Sequence, residues 1–256
     1  MSGRVKIMNK RIRTSLGALA LASALLTSGA HAAPLEQDVT VTTADNVAIR
    51  GTFYAAEKPG PGVLLIHMCR ADTDRATWSA VARRLAEAGI HALTIDLRGY
   101  GDSSGGEPPF TTMANFISFW RTTGMHDIEA GMDFLADQPG VDAEIIGLGG
   151  ASCGVFLGVE AAARYPNIVA LALLSGPFDA EGANQLARLE DVPVLGAASE
   201  GDTRAYDAMK RVFKATPHPG SRNIQYKGDA HGTDMFRTAA DLQQEITDWF
   251  GFWLLR

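Results

Sequence analysis

Beyond residue 60 the apolar positions of this chain fall in short unbroken runs: 63–66, 91–95, 145–148, 169–174, 192–197 and 223–226. A strand with one wet face alternates apolar and polar residues. A strand buried on both faces does not, so these runs predict a parallel sheet covered on both sides. Stretches 76–87, 126–136, 153–164 and 204–215 lie between the runs and have helical spacing. A last stretch, 239–255, brings Leu242, Ile246, Trp249, Phe250 and Trp253 onto one apolar face. Ahead of all this, 39–42 and 47–54 read as two strands around Ala44-Asp45-Asn46, an opening antiparallel hairpin. Regular alternation of strand and helix predicts an α/β domain with a mostly parallel sheet of about eight strands and helices on both faces. Residues 105–121 carry no clear pattern and read as a short flap. Residues 174–192 have room for only a small element, so no large cap is expected.

The first 32 residues change this picture. Arg4, Lys6, Lys10, Arg11 and Arg13 precede an apolar run, 16–26, and Ala30-His31-Ala32 offers small residues at the two positions a signal peptidase reads. The run is too short to span a bilayer, so the segment reads as a cleaved secretory signal, with a retained membrane anchor as the alternative. Residues 33–256 then form one domain without a membrane span, in the periplasm or outside the cell. Removing the segment's five basic residues takes the formal charge from −6 to −11. Such an acidic chain with no basic stripe is not a nucleic-acid binder. No CxxC, HExxH or other metal-ligand spacing occurs, so neither metal nor cofactor is expected.

In parallel sheets the working residues lie in loops beyond the carboxyl ends of the strands. Run 145–148 leads into Gly150-Ala151-Ser152-Cys153-Gly154 and then a helical stretch. Strand, Gly-x-Ser-x-Gly, helix is the setting of a nucleophile elbow, in which Ser152 sits on a tight turn at a helix N-terminus. A serine hydroxyl needs a base, and His231, in Gly228-Asp229-Ala230-His231-Gly232 after the last run, is the candidate. His218, between two prolines, competes with it. Asp202, in Glu200-Gly201-Asp202, is the candidate acid that would orient the histidine. Glu200 is the next choice, and Asp202 would also suit the N-cap of the following helix. Nucleophile, acid and base thus fall on one sheet edge in the order Ser, Asp, His.

On these residues, and on Asp96-Leu97-Arg98-Gly99-Tyr100-Gly101-Asp102-Ser103, the chain resembles the α/β-hydrolases, and within them the dienelactone-hydrolase-like esterases. The resemblance covers the whole chain after the leader. It implies an oxyanion hole of two backbone N–H groups, one from Cys153 and one from the loop after run 63–66. Relatives carry His-Gly in that loop where this chain has His67-Met68, and Cys69 is the favoured second donor, ahead of Met68. The only two cysteines therefore fall on two loops that must converge, and either a disulfide or two buried thiols would fit there. Cysteine-centred elbows occur in dienelactone hydrolases, but centring on Cys153 leaves Ala151 and Val155 where glycines are wanted. Arg98 and Asp96 match structural positions of the family. Arg70 and Arg75 read as solvated charges, with an anionic substrate as the other possibility.

The expected activity is hydrolysis of small acyl esters through an acyl-enzyme. A peptidase or amidase with the same triad is one alternative, and an inactive binding protein on the same fold is another.

Overall fold

The computed structural model describes residues 35–105, 112–214 and 216–256. Residues 1–34, which include the expected leader, and residues 106–111 of the patternless segment lie outside the described residues. Eight strands form one sheet: β1 Leu35–Thr42, β2 Ala48–Ala55, β3 Gly60–Ile66, β4 His91–Ile95, β5 Val141–Ala151, β6 Ile168–Leu174, β7 Val194–Ser199 and β8 Arg222–Tyr226. Their order across the sheet is β1-β2-β4-β3-β5-β6-β7-β8. The opening hairpin is antiparallel, β2 runs antiparallel to β4, and every pairing from β4 to β8 is parallel.

Successive strand residues point to opposite faces, so an unbroken apolar run supplies two cores. Leu64, Ile66, Leu93, Ile95, Leu171 and Leu173 face one way. They pack against α3 (Met125–Ala136) and α4 (Cys153–Arg164), with α6 (Thr203–Phe213) beside them. Val63, Leu65, Ala92, Ala170, Ala172 and Ala197 face the other way, against α1 (Ser79–Glu87) and α7 (Leu242–Leu254). On that side the small strand residues leave room for the large rings of Trp249 and Phe250. The Trp249 indole donates to the Leu171 carbonyl at 2.9 Å, so its one polar group is satisfied in the core.

Two segments differ from the sequence reading. The stretch 76–87 divides into a 3-10 turn, Arg75–Trp78, capped by the Asp74 side chain, and then α1. The patternless segment ends in a helix, α2 (Met113–Arg121), whose N-terminus is capped by Thr112 Oγ1 accepting from the Asn115 N–H. A single short helix, α5 (Ala180–Leu186), follows β6. Among the described residues no helix is long and apolar enough to cross a membrane.

The pairing register sets the site. Ile66 lies opposite Ile95 and Gly150, Ala151 opposite Leu174, Leu174 opposite Ala197, and Ser199 opposite Tyr226. The carboxyl ends of β3, β5, β6, β7 and β8 therefore finish level, and the loops that follow them meet along one edge.

Candidate active site

Ser152 joins β5 to α4 at φ 53° and ψ −114°, a left-handed conformation that a serine adopts only where its surroundings enforce it. Here the glycines enforce it by letting the backbones close. A Cβ on Gly150 would stand 2.2 Å from the Gly154 carbonyl oxygen, and one on Gly154 would stand 2.7 Å from that of Ile66. The Ser152 N–H donates to the Leu174 carbonyl at 2.9 Å, which ties the turn to the next strand. The side chain is thereby held out at the head of α4.

Asp202 and His231 meet from the ends of β7 and β8. His231 Nδ1 lies 2.6 Å from Asp202 Oδ2, with the histidine side chain 37% exposed and the aspartate 16%. Asp202 occupies the N-cap position of α6, yet its side chain makes no capping bond there. Its carboxylate serves the imidazole instead. With Nδ1 donating to a carboxylate, Nε2 is left to accept a proton. Ser152, Asp202 and His231 all line one cavity of about 480 Å³. The Ser152 hydroxyl makes no hydrogen bond among the described residues.

The opposite wall is held differently. Cys69, after β3, and Cys153, the first residue of α4, form a disulfide, with Cα atoms 5.7 Å apart. The bond ties the loop after β3 to the residue next to Ser152. His67, fully buried beneath that loop, uses both ring nitrogens: Nε2 accepts from the Leu97 N–H at 2.9 Å, and Nδ1 donates to the Met68 carbonyl at 2.8 Å. Burial holds its pKa below the ordinary histidine value, in keeping with this neutral form. Thr73 Oγ1 also donates to the Met68 carbonyl, and the Trp78 indole donates to that of Ile66 at 3.0 Å. The Cys69 and Cys153 N–H groups have no acceptor among the described residues. The Cys153 group belongs to the first turn of α4, where no intrahelical carbonyl is available.

The remaining candidates lie elsewhere. His218 accepts from the Gly220 N–H through Nδ1 and packs edge-on against Trp253. Glu200 is paired with Lys227. Arg70 is exposed, as expected of a solvated charge, and pairs with Asp72 and Asp234 at the surface; Arg75 is instead largely covered and binds Asp96 and Asp102, and neither lines the cavity. Asp96 is a buried brace that also accepts the Arg75 and Asp102 N–H groups. Arg98 is clasped by Asp127 and Asp45. Phe116, from the segment read as a flap, also lines the cavity, together with residues the sequence reading passed over: Ser175 and Phe178 after β6, and Arg204 and Arg211 on α6. One signal was available for Arg204, since an arginine in the first turn of a helix opposes the helix dipole.

A family model for the alpha/beta hydrolase fold matches residues 62–215. The thiohydrolase aneE of Aspergillus aculeatus is 31% identical over 116 residues, covering 45% of this chain and 33% of its own. An uncharacterized protein of Mycobacterium tuberculosis is 28% identical over 152 residues, 59% of this chain and 49% of its own. This chain thus spans between a third and a half of the length of those relatives. Among solved structures, a dienelactone hydrolase from Anabaena variabilis superposes with a TM-score of 0.68 at 20% identity, over 87% of this chain and all of that one. An esterase of Pyrococcus furiosus gives 0.67 at 17%, over 86% and 93%. At such identities these likenesses concern the fold, and with the family match they place the chain in the alpha/beta hydrolase fold family.

Proposed function

We propose that the protein is a serine hydrolase of carboxylic esters, exported to an oxidising compartment and using Ser152, Asp202 and His231 as a triad. The observation that carries this reading is the bond between His231 and Asp202, made in one cavity with a serine held in elbow geometry. His231 Nε2 takes the proton of Ser152 Oγ as that oxygen bonds to the ester carbonyl carbon. The Cys153 and Cys69 N–H groups receive the negative charge that develops on the carbonyl oxygen. Collapse expels the alcohol, which leaves with the proton from the imidazolium, and an acyl-serine remains. Water then attacks, giving its proton to His231. Breakdown of the second intermediate releases the carboxylic acid and returns the proton to Ser152. Asp202 holds the histidine tautomer and stabilises its cation throughout.

Esters suit such a site because an alkoxide leaves more readily than an amine. Thioesters are open to the same steps, and the name of the aneE thiohydrolase favours including them. The disulfide supports the export reading, because such bonds persist outside reducing compartments. The test is turnover of p-nitrophenyl esters of graded acyl length by wild type and by Ser152→Ala, Asp202→Ala and His231→Ala. Hydrolysis by wild type that is lost in Ser152→Ala and His231→Ala supports the reading. Equal rates in wild type and Ser152→Ala would remove it.

A further inference from the structure

Proton transfer between Ser152 and His231 needs two separate loops to be set against each other. The loop after β3 is tied to the residue beside Ser152, because Cys69 is bonded to Cys153. The loop that carries His231 leaves β8, an edge strand paired only with β7. Its ties to the neighbouring acid loop are the Gly201 N–H, which donates to the Gly228 carbonyl at 2.7 Å, and the bond from His231 to Asp202. Neither of these fixes its place relative to the far wall, where Ser152 and the Cys69 N–H lie.

Contacts across the site do so. Gly232, next to His231, has φ 56° and lies against Met68, next to Cys69: a Cβ there would stand 3.0 Å from the Met68 sulfur. Farther along, Phe236 rests edge-on against Trp78. This packing sets how closely the loops approach, but it is non-directional. A directional contact lies between its two parts. Asp234 sits in a 3-10 turn, Gly232–Arg237, and takes both ends of the Arg70 fork, Nη1 to Oδ2 at 2.6 Å and Nη2 to Oδ1 at 3.3 Å. Among the described residues these are the only hydrogen bonds between loops 67–74 and 227–237.

Both ends of the pair act through short levers. Arg70 adjoins Cys69, whose N–H is an oxyanion donor in the proposed mechanism. The Asp234 N–H donates to the His231 carbonyl at 3.0 Å, which ties the carboxylate's own residue back to the base. The side chains are 45% and 23% exposed, so the pair contributes little to stability. Asp72 also holds Arg70, and Arg237 also holds Asp234, but each of those bonds stays within one loop. The Arg70 guanidinium keeps the Asp234 carboxyl below its ordinary pKa, so the pair is charged wherever the imidazole can act as a base.

We infer that Arg70 and Asp234 are positioning residues, a clasp that holds the His231 loop in alignment with Ser152 and the oxyanion donors. The inference rests on the hydrolase reading above and adds two residues that act on the reaction without touching substrate.

The experiment measures kcat and KM for p-nitrophenyl butyrate, together with deuterium exchange, in Arg70→Gln, Asp234→Asn, their double variant, and the controls Asp72→Asn and Arg237→Gln. Each clasp variant should lower kcat about tenfold, with KM within about twofold and the melting temperature near wild type. The double variant should be no slower than either single one, since both remove the same link. The controls strip a charge from the same cluster without parting the loops, and should keep the wild-type kcat. About 1 M sodium chloride should narrow the gap between wild type and the clasp variants. In exchange, Arg70→Gln should speed uptake in 229–237, and Asp234→Asn should speed it in 67–73, each across the site from the substitution. An active wild type matched in kcat by Asp234→Asn would overturn the clasp. So would an equal loss in Arg237→Gln, a double variant as slow as the product of the singles, or exchange effects confined to the substituted loop. A wild type without turnover that still shows the cross-loop exchange would overturn the hydrolase reading and keep the link between the loops. Absence of both overturns both.

Discussion

The two walls of the site are built on opposite principles. The acid–base wall, Asp202 and His231, comes from loops after β7 and β8, is partly exposed, and is joined by one side-chain hydrogen bond. The wall at Cys69 and Cys153 is fixed by a disulfide, by a fully buried histidine with both nitrogens engaged, and by hydrogen bonds from Thr73 and Trp78. The difference follows from what each wall does in the proposed mechanism. An imidazole must accept a proton, turn and return it. Backbone donors act through position alone, and their value lies in being aimed before charge develops.

Perturbing each wall should therefore give a different kind of loss. The largest effect is expected at the two groups that exchange the proton: Ser152→Ala or His231→Ala should lower kcat by about 10⁴–10⁶, measured with a p-nitrophenyl ester, while the melting temperature stays near wild type. Asp202→Asn should cost about 10⁴ in kcat, since the amide no longer fixes the tautomer that leaves Nε2 free to accept. On the rigid wall, the double variant Cys69→Ala/Cys153→Ala should lower kcat by about 10–100-fold with a smaller change in KM, as the donors lose their aim. It should also lose about 2–4 kcal/mol of stability in denaturant titration, because the bond closes a loop between residues separated by 84 positions. Thiol counting on unfolded, unreduced protein should find no free thiol, and two after reduction.

The smallest effect is expected at His67. His67→Ala strands the Leu97 N–H and one bond of the Met68 carbonyl, and should cost about 1–3 kcal/mol at pH 7.5. That cost has a definite pH dependence. The folded pKa of His67 is depressed, so below the ordinary value near 6.5 the unfolded chain takes up a proton that the folded site refuses. The stabilisation by His67 is thus present above that pH and lost as the pH falls through it. Urea titrations of wild type and His67→Ala should converge between pH 7.5 and 5. A gap that widens on acidification would show that the imidazole is bound as its cation.

Legibility in the sequence follows the same division. Unbroken apolar runs made the parallel sheet visible, and the strand-end rule brought Ser152, Asp202 and His231 to one edge before any coordinates. The helix α2 was obscured because its cap, Thr112, and its aromatic face, Phe116 with Phe119 and Trp120, follow a proline-rich stretch that reads as loop. Strand β5 is longer than its apolar run because its first half alternates in burial, with Asp142 and Glu144 exposed, and so lacks the continuous signal. Arg70 is the exposed charge it looked, paired at the surface with Asp72 and Asp234, whereas Arg75 looked free because its buried partner, Asp96, is distant in sequence. Arg204 carries one local sign, its place in the first turn of α6, whereas nothing local marks Arg211, and only the fold brings both to the cavity wall.

The central claim is an activated serine beside donors that are already in place, and fluorophosphonate labelling addresses it most directly. The rate of labelling would be followed by intact mass on oxidised and on reduced protein, with Ser152→Ala as control. Rapid single-site labelling at Ser152, absent in Ser152→Ala and slower after reduction of Cys69–Cys153, is the expected result. A folded wild type that takes no label would contradict the claim, and labelling that proceeds equally fast after reduction would contradict the role given to the rigid wall.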